Sequence, residues 1–528
     1  VPLFAGSLPE AKALKAFIER RHPEYDENLQ HWDFLEATYK GGREWFDAHI
    51  FHYIKEGEQE FKDRLARAYR FNHTREVVDL LNKYIFRSPI NRNVEDAGEP
   101  LRAFWKNATL SGLSIDQYMK VLGNRSSVFG RIWVFVDNNK SQDALTLADE
   151  KRSGARLYSY YVKPQDALDM AFTETGTLRW ILVREWQRDD DDPIASSGGM
   201  EERFRLWTTD TWHLFRKIKT GRDGVRVELL DEQEHGLGRV PCFPLDHMLG
   251  ERRYVADSMI ADIAYLDRAV ANYLSNLDAI IQDQSFSQLA MPAQNLLPGE
   301  EAYTKLLEMG TKRVFLYDGE SNTQPFYLSP DVKQAQIIVQ VINKIISEIY
   351  HSVGMAGERT KADNAVGIDN SSGVAKAYDF ERLNSLLVSK AESLDVAENK
   401  LAELVALWSG KAPSDEDLVR YPRDFDVRGL YDEFDIATRL SLIEAPDALR
   451  RRQMEDIIDK LFPTLSAELR ATMQAELKDW PPSVDDVLGG LSATAGGAAR
   501  GQLQKQEQPA RNAGEQDRQG QVTRNTAA

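Results

Sequence analysis

The stretch VAKAYDFERLNSLLVSKAESLDVAENKLAELVALW, Val374 to Trp408, decides how this chain is read. Phe380, Leu387, Leu394, Leu401 and Trp408 recur every seven residues, with Leu383, Ala397 and Leu404 beside them. That repeat predicts one long helix, over 374–409, with a continuous apolar seam. Two further long helices precede it. From Val255 to Asp283 the positions Met259, Ile263, Leu266, Val270, Leu274, Leu277 and Ile281 keep one face apolar. From Asp331 to Val353, after a Ser329-Pro330 start signal, Ile337, Ile338, Val341, Ile342, Ile345, Ile346 and Ile349 cover more than one face. A helix of that kind is enclosed by neighbours from its own chain or from other copies. Ile338, Ile342, Ile345, Ile346 and Ile349 are the candidate intersubunit packing residues. Val314–Tyr317 and Phe326–Leu328, joined through Asp318-Gly319, read as a small β-hairpin between these helices. Gly354 to Gly373 is a glycine-spotted polar loop.

Upstream, Leu8 to Leu122 reads as helical. Ala66, Tyr69, His73, Val77, Leu80, Leu81 and Tyr84 form one stripe, halted by Pro89. A second helix is expected from Ser114, as cap, to Gly123, as stop. From Val128 to Pro244 the period changes to that of strands: Arg131 to Val136, Leu157 to Val162, Leu178 to Trp186, Phe204 to Thr208 and Thr211 to Phe215. Gly176-Thr177 and Thr209-Asp210 fall where hairpin turns belong. The fold class expected is therefore α+β, mainly helical. Shorter helices punctuated by prolines follow from Gly410 to about Val487. Ser492 to Ala528 hold only Leu503 and Val522 as large apolar side chains and no aromatic, and 488–528 is expected to be a disordered tail.

With 528 residues, of which 42% are hydrophobic, the chain has material for several units of structure. Its net charge of −17 argues against a protein that coats nucleic acid, because such binding neutralises phosphates with Lys and Arg. The single cysteine, Cys242, excludes an internal disulfide and suits a reducing compartment; its apolar setting reads as an inert buried thiol. No segment approaches the ~20 apolar residues of a membrane span, and Val1-Pro2-Leu3-Phe4 does not read as a secretory signal. No phosphate-binding loop, His-Glu-x-x-His pair or Gly-x-Ser-x-Gly elbow occurs. Gly236-Leu237-Gly238 runs into Pro241 without the third glycine of a dinucleotide loop. Asp189 to Asp192 are adjacent rather than spaced to converge on a cation, so they read as a charged loop, and His49 and His52 lack a ligand constellation. No catalytic, cofactor or metal site is expected.

Several segments, in this order, resemble the portal proteins of tailed bacteriophages. They are Trp32-Asp33-Phe34-Leu35 with Tyr39-Lys40-Gly41-Gly42, then Arg64 to Asn72, and the strand Phe129-Gly130-Arg131-Ile132-Trp133-Val134-Phe135-Val136-Asp137. Tyr160 to Asp166 follows, then Gly238-Arg239-Val240-Pro241-Cys242-Phe243-Pro244-Leu245, and finally Ser372-Gly373-Val374-Ala375-Lys376 ahead of the heptad helix.

The resemblance implies a dodecameric ring at one capsid vertex, built from parts called wing, stem, clip, tunnel loop and crown. On that analogy 1–254 is wing, 255–283 and 331–353 are stem, and 284–330 is clip. The segment 354–373 is the tunnel loop, 374–409 a wing helix, 410–487 crown and 488–528 a tail. It also implies double-stranded DNA passing through the ring, and a large terminase, major capsid protein and head-tail adaptor as partners. The location implied is the virion, with assembly in the host cytoplasm. Arg359 and Lys361 in the loop, with Lys333 and Lys344 on the second stem helix, are the candidate DNA-channel contacts. Two other readings compete with this one. A head-maturation or nucleic-acid-processing enzyme lacks any catalytic signature, and a coiled-coil scaffolding protein is disfavoured by the Trp- and Tyr-rich β block.

Overall fold

The computed structural model describes residues 11–139, 156–285 apart from 191, 221–223 and 252, then 288–292, 314–317, 324, 326–328, 332–355 and 373–425 apart from 415 and 424, with a few positions between 451 and 477. The chain divides into two units, Val1–Asp426 and Val427–Ala528. Those few positions are the described part of the second unit, so the expected tail and most of the expected crown lie outside the described residues.

The first unit opens with seven helices: α1 (Ala11–Glu19), α2 (Pro23–Lys40), α3 (Arg43–His49), α4 (Glu58–Arg67), α5 (His73–Ile85), α6 (Glu99–Lys106) and α7 (Ile115–Phe129). The single stripe expected from Ala66 to Tyr84 is in fact two helices. α4 ends at Ala68, and Asn72 restarts the chain by accepting a bond from the Arg75 amide. The break serves α2. Arg70 donates to the Thr38 carbonyl, and Asn72 Nδ2 donates to Thr38 and Tyr39 at 3.2 and 3.1 Å, so the last carbonyls of α2 find donors. Ser114 does cap α7, in a capping box with Gln117. Gly123, expected as its stop, lies inside it. A Cβ at that position would sit 2.6 Å from Asn82 Oδ1, so glycine there permits α5 and α7 to approach closely. The helix ends instead at Gly130, at φ 83°.

Gly130 launches the most enclosed strand. β1 (Asn91–Arg92) is a short piece paired far along the chain, and β2 (Arg131–Asn138) follows α7. β2 is buried from Arg131 through Asp137 and lies between β3 (Leu157–Val162) and β9 (Cys242–Asp246), antiparallel to both. β4 (Ala167–Phe172), β5 (Leu178–Arg188), β6 (Met200–Thr208), β7 (Thr211–Thr220) and β8 (Gly224–Glu234) form an antiparallel meander, turning at Gly176 and at Thr209-Asp210 as expected. β4, β8 and β9 add to the strands the sequence predicts. α1 covers one face of the meander, with Leu14 and Ile18 against Leu182, Phe204, Phe215 and Val227.

Between the long helices the expected hairpin is not formed. β11 (Val314–Tyr317) and β12 (Phe326–Leu328) flank a third strand, β10 (Gln288–Pro292), which pairs parallel with β11 and antiparallel with β12. A strand that joins β10 in parallel cannot also hairpin with β12 on the opposite side of β10.

α8 (Ala261–Ser285) begins later than Val255, because the residues before it are stitched to the end of α7: Ser258 Oγ donates to Val128 O at 2.7 Å, and the Met259 amide to Ser127 O. α9 (Val332–Ser352) and α10 (Gly373–Trp408) follow, and β13 (Val419–Arg420) pairs with β1. α10 packs on α5, α6, α7, β2 and β9. Leu383, Leu387, Leu394, Leu401 and Leu404 are buried in this mixed core. A seven-residue spacing drifts only ~20° per heptad on a straight helix, so it suits a layered core as well as a supercoil.

Charges are buried here too. Arg92 bridges Glu398 (2.5 Å) and Asp116 (2.7 Å), and Tyr421 donates to the other Glu398 oxygen at 2.7 Å. Arg131 binds Asp246 through two bonds of 2.6 and 2.7 Å. Lys390, on the buried face of α10, donates to Ser126 Oγ at 2.6 Å. His247 lies beside it, held by Ser127 Oγ, and burial together with Lys390 keeps its imidazole well below the usual histidine range. Burial outweighs the attraction of Asp246, itself occupied by Arg131, and depresses Lys390 to about 7. Between 10.5 and about 7 the unfolded chain therefore holds a proton that the folded chain releases. Stability rises with pH across that window and is lowest below it. Lys390→Met should stabilise the protein by about 1–3 kcal/mol at pH 7 and below. The gain should shrink toward pH 10, as read by chemical denaturation of both proteins across that range.

Candidate channel and assembly surfaces

α8 and α9 pack on each other, and both reach α5. At the body end the pair is tied by specific bonds. Asp267 on α8 accepts from the amide and hydroxyl of Thr74, the latter at 2.7 Å. Tyr350 on α9 donates to the Glu76 carboxylate and lies 3.1 Å from His73 Nδ1. Ile342, Ile346 and Ile349 step along one face of α9 and are buried within their own chain, with Ile338 and Ile345 partly covered beside them. What α9 leaves open is Ile337, 59% exposed, and Val339, 41% exposed, with Ile281 of α8 and Phe326 of β12 also exposed. Ile342, Ile346 and Ile349 are thus covered by their own chain, and Ile337 and Val339 are the large apolar side chains that α9 leaves exposed.

The candidate channel cations divide. Lys333 and Lys344 are exposed on α9, and Lys344 pairs with Glu348 one turn on, which draws that carboxyl below its usual range. Arg359 and Lys361 lie outside the described residues. The aspartate loop after β5 holds its charges with its own backbone and hydroxyls: Asp189 accepts from the Ser197 amide and hydroxyl, and Asp192 from the Ile194 and Ala195 amides. Cys242 is a buried free thiol, and burial pushes its pKa well up. Among the described residues no group of three or more His, Cys, Asp or Glu is placed to hold a metal, and no helix is long and apolar enough to cross a membrane.

Two surfaces that the sequence reading passes over stand out. The link between α3 and α4 presents Phe51 (58% exposed), Tyr53 (61%) and Ile54 (93%). Buried Arg64 fixes this link through two 2.7 Å bonds to Glu56 and a 2.8 Å bond to Phe51 O. On the outer face of α10 a cavity of about 560 Å³ is lined by Leu101, Val396, Ala402, Val405 and the link after the helix.

The sequence matches the family described as "Phage portal protein, SPP1 Gp6-like" over residues 19–412, and the chain belongs to that family of portal, or head-to-tail connector, proteins. The family is structural rather than catalytic. No curated protein matches the sequence. Among solved structures, a chain in "Neck of empty GTA particle computed with C6 symmetry" is 11% identical with a TM-score of 0.40. One in "Virion of native gene transfer agent (GTA) particle" is 12% identical with a TM-score of 0.39. Each comparison covers 72% of this chain and 89% of the other.

The split along α9 has a direct test. Ile349→Ala removes a fully buried side chain and should cost about 2–5 kcal/mol. Ile337→Ala should leave stability of the dissociated chain within about 0.5 kcal/mol. Urea unfolding of both variants reads the difference.

Proposed function

We propose that the chain assembles into a closed, dodecameric ring at one vertex of a phage-like capsid, forming the conduit for genome packaging and ejection. The observation that carries this is the portal-family match over residues 19–412. In this reading α8 and α9 are the stem, the β10–β12 sheet belongs to the clip, residues 354–373 are the tunnel loop, and α10 is the wing's inner helix. The crown spans 410–487 and the tail 488–528. Ile337 and Val339, uncovered by their own chain, contribute to the stem contact between copies. The large terminase supplies the ATP-driven work, and the major capsid protein and head-tail adaptor dock on the outer surfaces. The particle vertex is the site of action, reached after assembly in the host cytoplasm.

The net charge of −17 suits a conduit. A wall that bound phosphates tightly would act as a brake on a sliding duplex, because each neutralised phosphate adds to the salt-dependent affinity. A mostly repulsive lining with sparse basic rings keeps the duplex centred and mobile. Arg359 and Lys361 supply one such ring, and Lys333 and Lys344 a weaker one, Lys344 being already paired.

Negative-stain imaging of the purified protein should reveal rings with a central hole; a persistent monomer in native mass spectrometry would end this reading. Changing Arg359 and Lys361 together to Ala should leave rings intact while lowering DNA retention in filled particles, with a deficit that depends on salt. Normal retention at every ionic strength tested would remove the loop from the list of DNA contacts.

A further inference from the structure

We propose that the Phe51–Ile54 knob of one copy seats in the α10 cavity of the next copy, a head-to-tail contact that closes the ring outside the stem. This rests on the ring reading above. The knob is an apolar tip that its own chain leaves uncovered, yet it is not loose. Beyond the Arg64 bonds, the Phe51 amide donates to Asn272 Oδ1 at 2.9 Å, and Asn272 Nδ2 donates to His49 O at 3.0 Å. The Arg268 guanidinium lies 5.3 Å from the Phe51 ring centroid. Fixing three large apolar side chains in water has no folding benefit, whereas a prepaid conformation lowers the ordering cost of an interface.

The cavity has the complementary character. Its floor is apolar, with Leu101, Ala402 and Val405 buried and Val396 still 37% exposed on the outer face of α10. Its rim carries exposed Asp96, Glu416 and Asp417 against exposed Lys411, and the knob carries Lys55 beside Ile54. Lys390, Leu394, Leu401 and Leu404 face the core, while Val396, Asn399, Lys400 and Glu403 lie on the opposite side of α10, so the cavity opens away from α5 and α7. The knob hangs on α8, bonded through Asn272 and through Arg64 to Ser275. None of Phe51, Tyr53 and Ile54 lines the cavity, so projection and hollow are separate surfaces of one copy. A chain with a projection at one place and a matching hollow at another makes heterologous contacts, which close into a ring when the rotation allows.

The test uses the full chain carrying Ile54→Cys and Val396→Cys, with buried Cys242 as a silent background. Oxidation, or a short bismaleimide, should give a ladder of covalent oligomers on a non-reducing gel, absent from either single variant. Ile54→Asp should weaken ring association by about tenfold or more while the melting temperature of the dissociated chain stays unchanged. Rings that form normally but give no ladder, or an Ile54→Asp variant with wild-type ring affinity, would overturn the contact and leave the ring reading standing. Absence of rings from the unmodified protein would overturn both.

Discussion

One face of α10 must stay dry. Along the described part of this helix the inward positions meet strands β2 and β9 and helices α5, α6 and α7, which gathers part of the N-terminal helices and the three-stranded sheet around one core. The apolar majority of the face supplies the driving force, at ~25 cal/mol per Å² buried. Its buried charges supply the constraint. Glu398 is tolerated because Arg92 and Tyr421 bond both of its oxygens, which ties β1 and the residues after β13 to the helix. Removing one member would leave a buried charge without a counterpart, so these bonds fix register more than they add net stability. Lys390 is the exception, a cation with a hydroxyl for its partner, and it answers by giving up its proton near neutrality.

From that contact outward, local signals were the legible ones. The heptad positions, the apolar run after Gly130, the Ser114 cap and the hairpin turns at Gly176 and Asp210 each depend on neighbours a few residues away, and each reads correctly. Gly123 misleads because its reason lies in another helix, at Asn82. The α4–α5 break is hidden beneath a stripe that continues in phase across it, its purpose being to finish α2. β9 contains Pro244, which argues against a central strand; it is accommodated because β9 is an edge, beside β2 alone. The β10–β11 pair is parallel and distant in sequence, so no turn chemistry announces it.

The functional surfaces follow the same division. The family resemblance was legible in the order of short segments, and the isoleucine-rich helix was legible as one needing company. Which isoleucines face inward was not, since a run of seven apolar positions fits several rotations until α5 and α8 choose one. The knob at Phe51–Ile54 is invisible to periodicity because it has none. It is exposed only by the folded geometry, in which a buried arginine holds an apolar loop outward.

The β10–β12 sheet bears on how the molecule would carry mechanical stress. β10 starts just past the end of α8 and β12 stops just short of α9, and the two strands are hydrogen-bonded antiparallel. The β10–β12 pairing thus joins the strand after α8 to the strand before α9, while Asp267 and Tyr350 bond the two helices to α5. Both helices meet the rest of the unit through one shared element, so a displacement of either is felt at α5, at the bonds to Thr74 and Glu76.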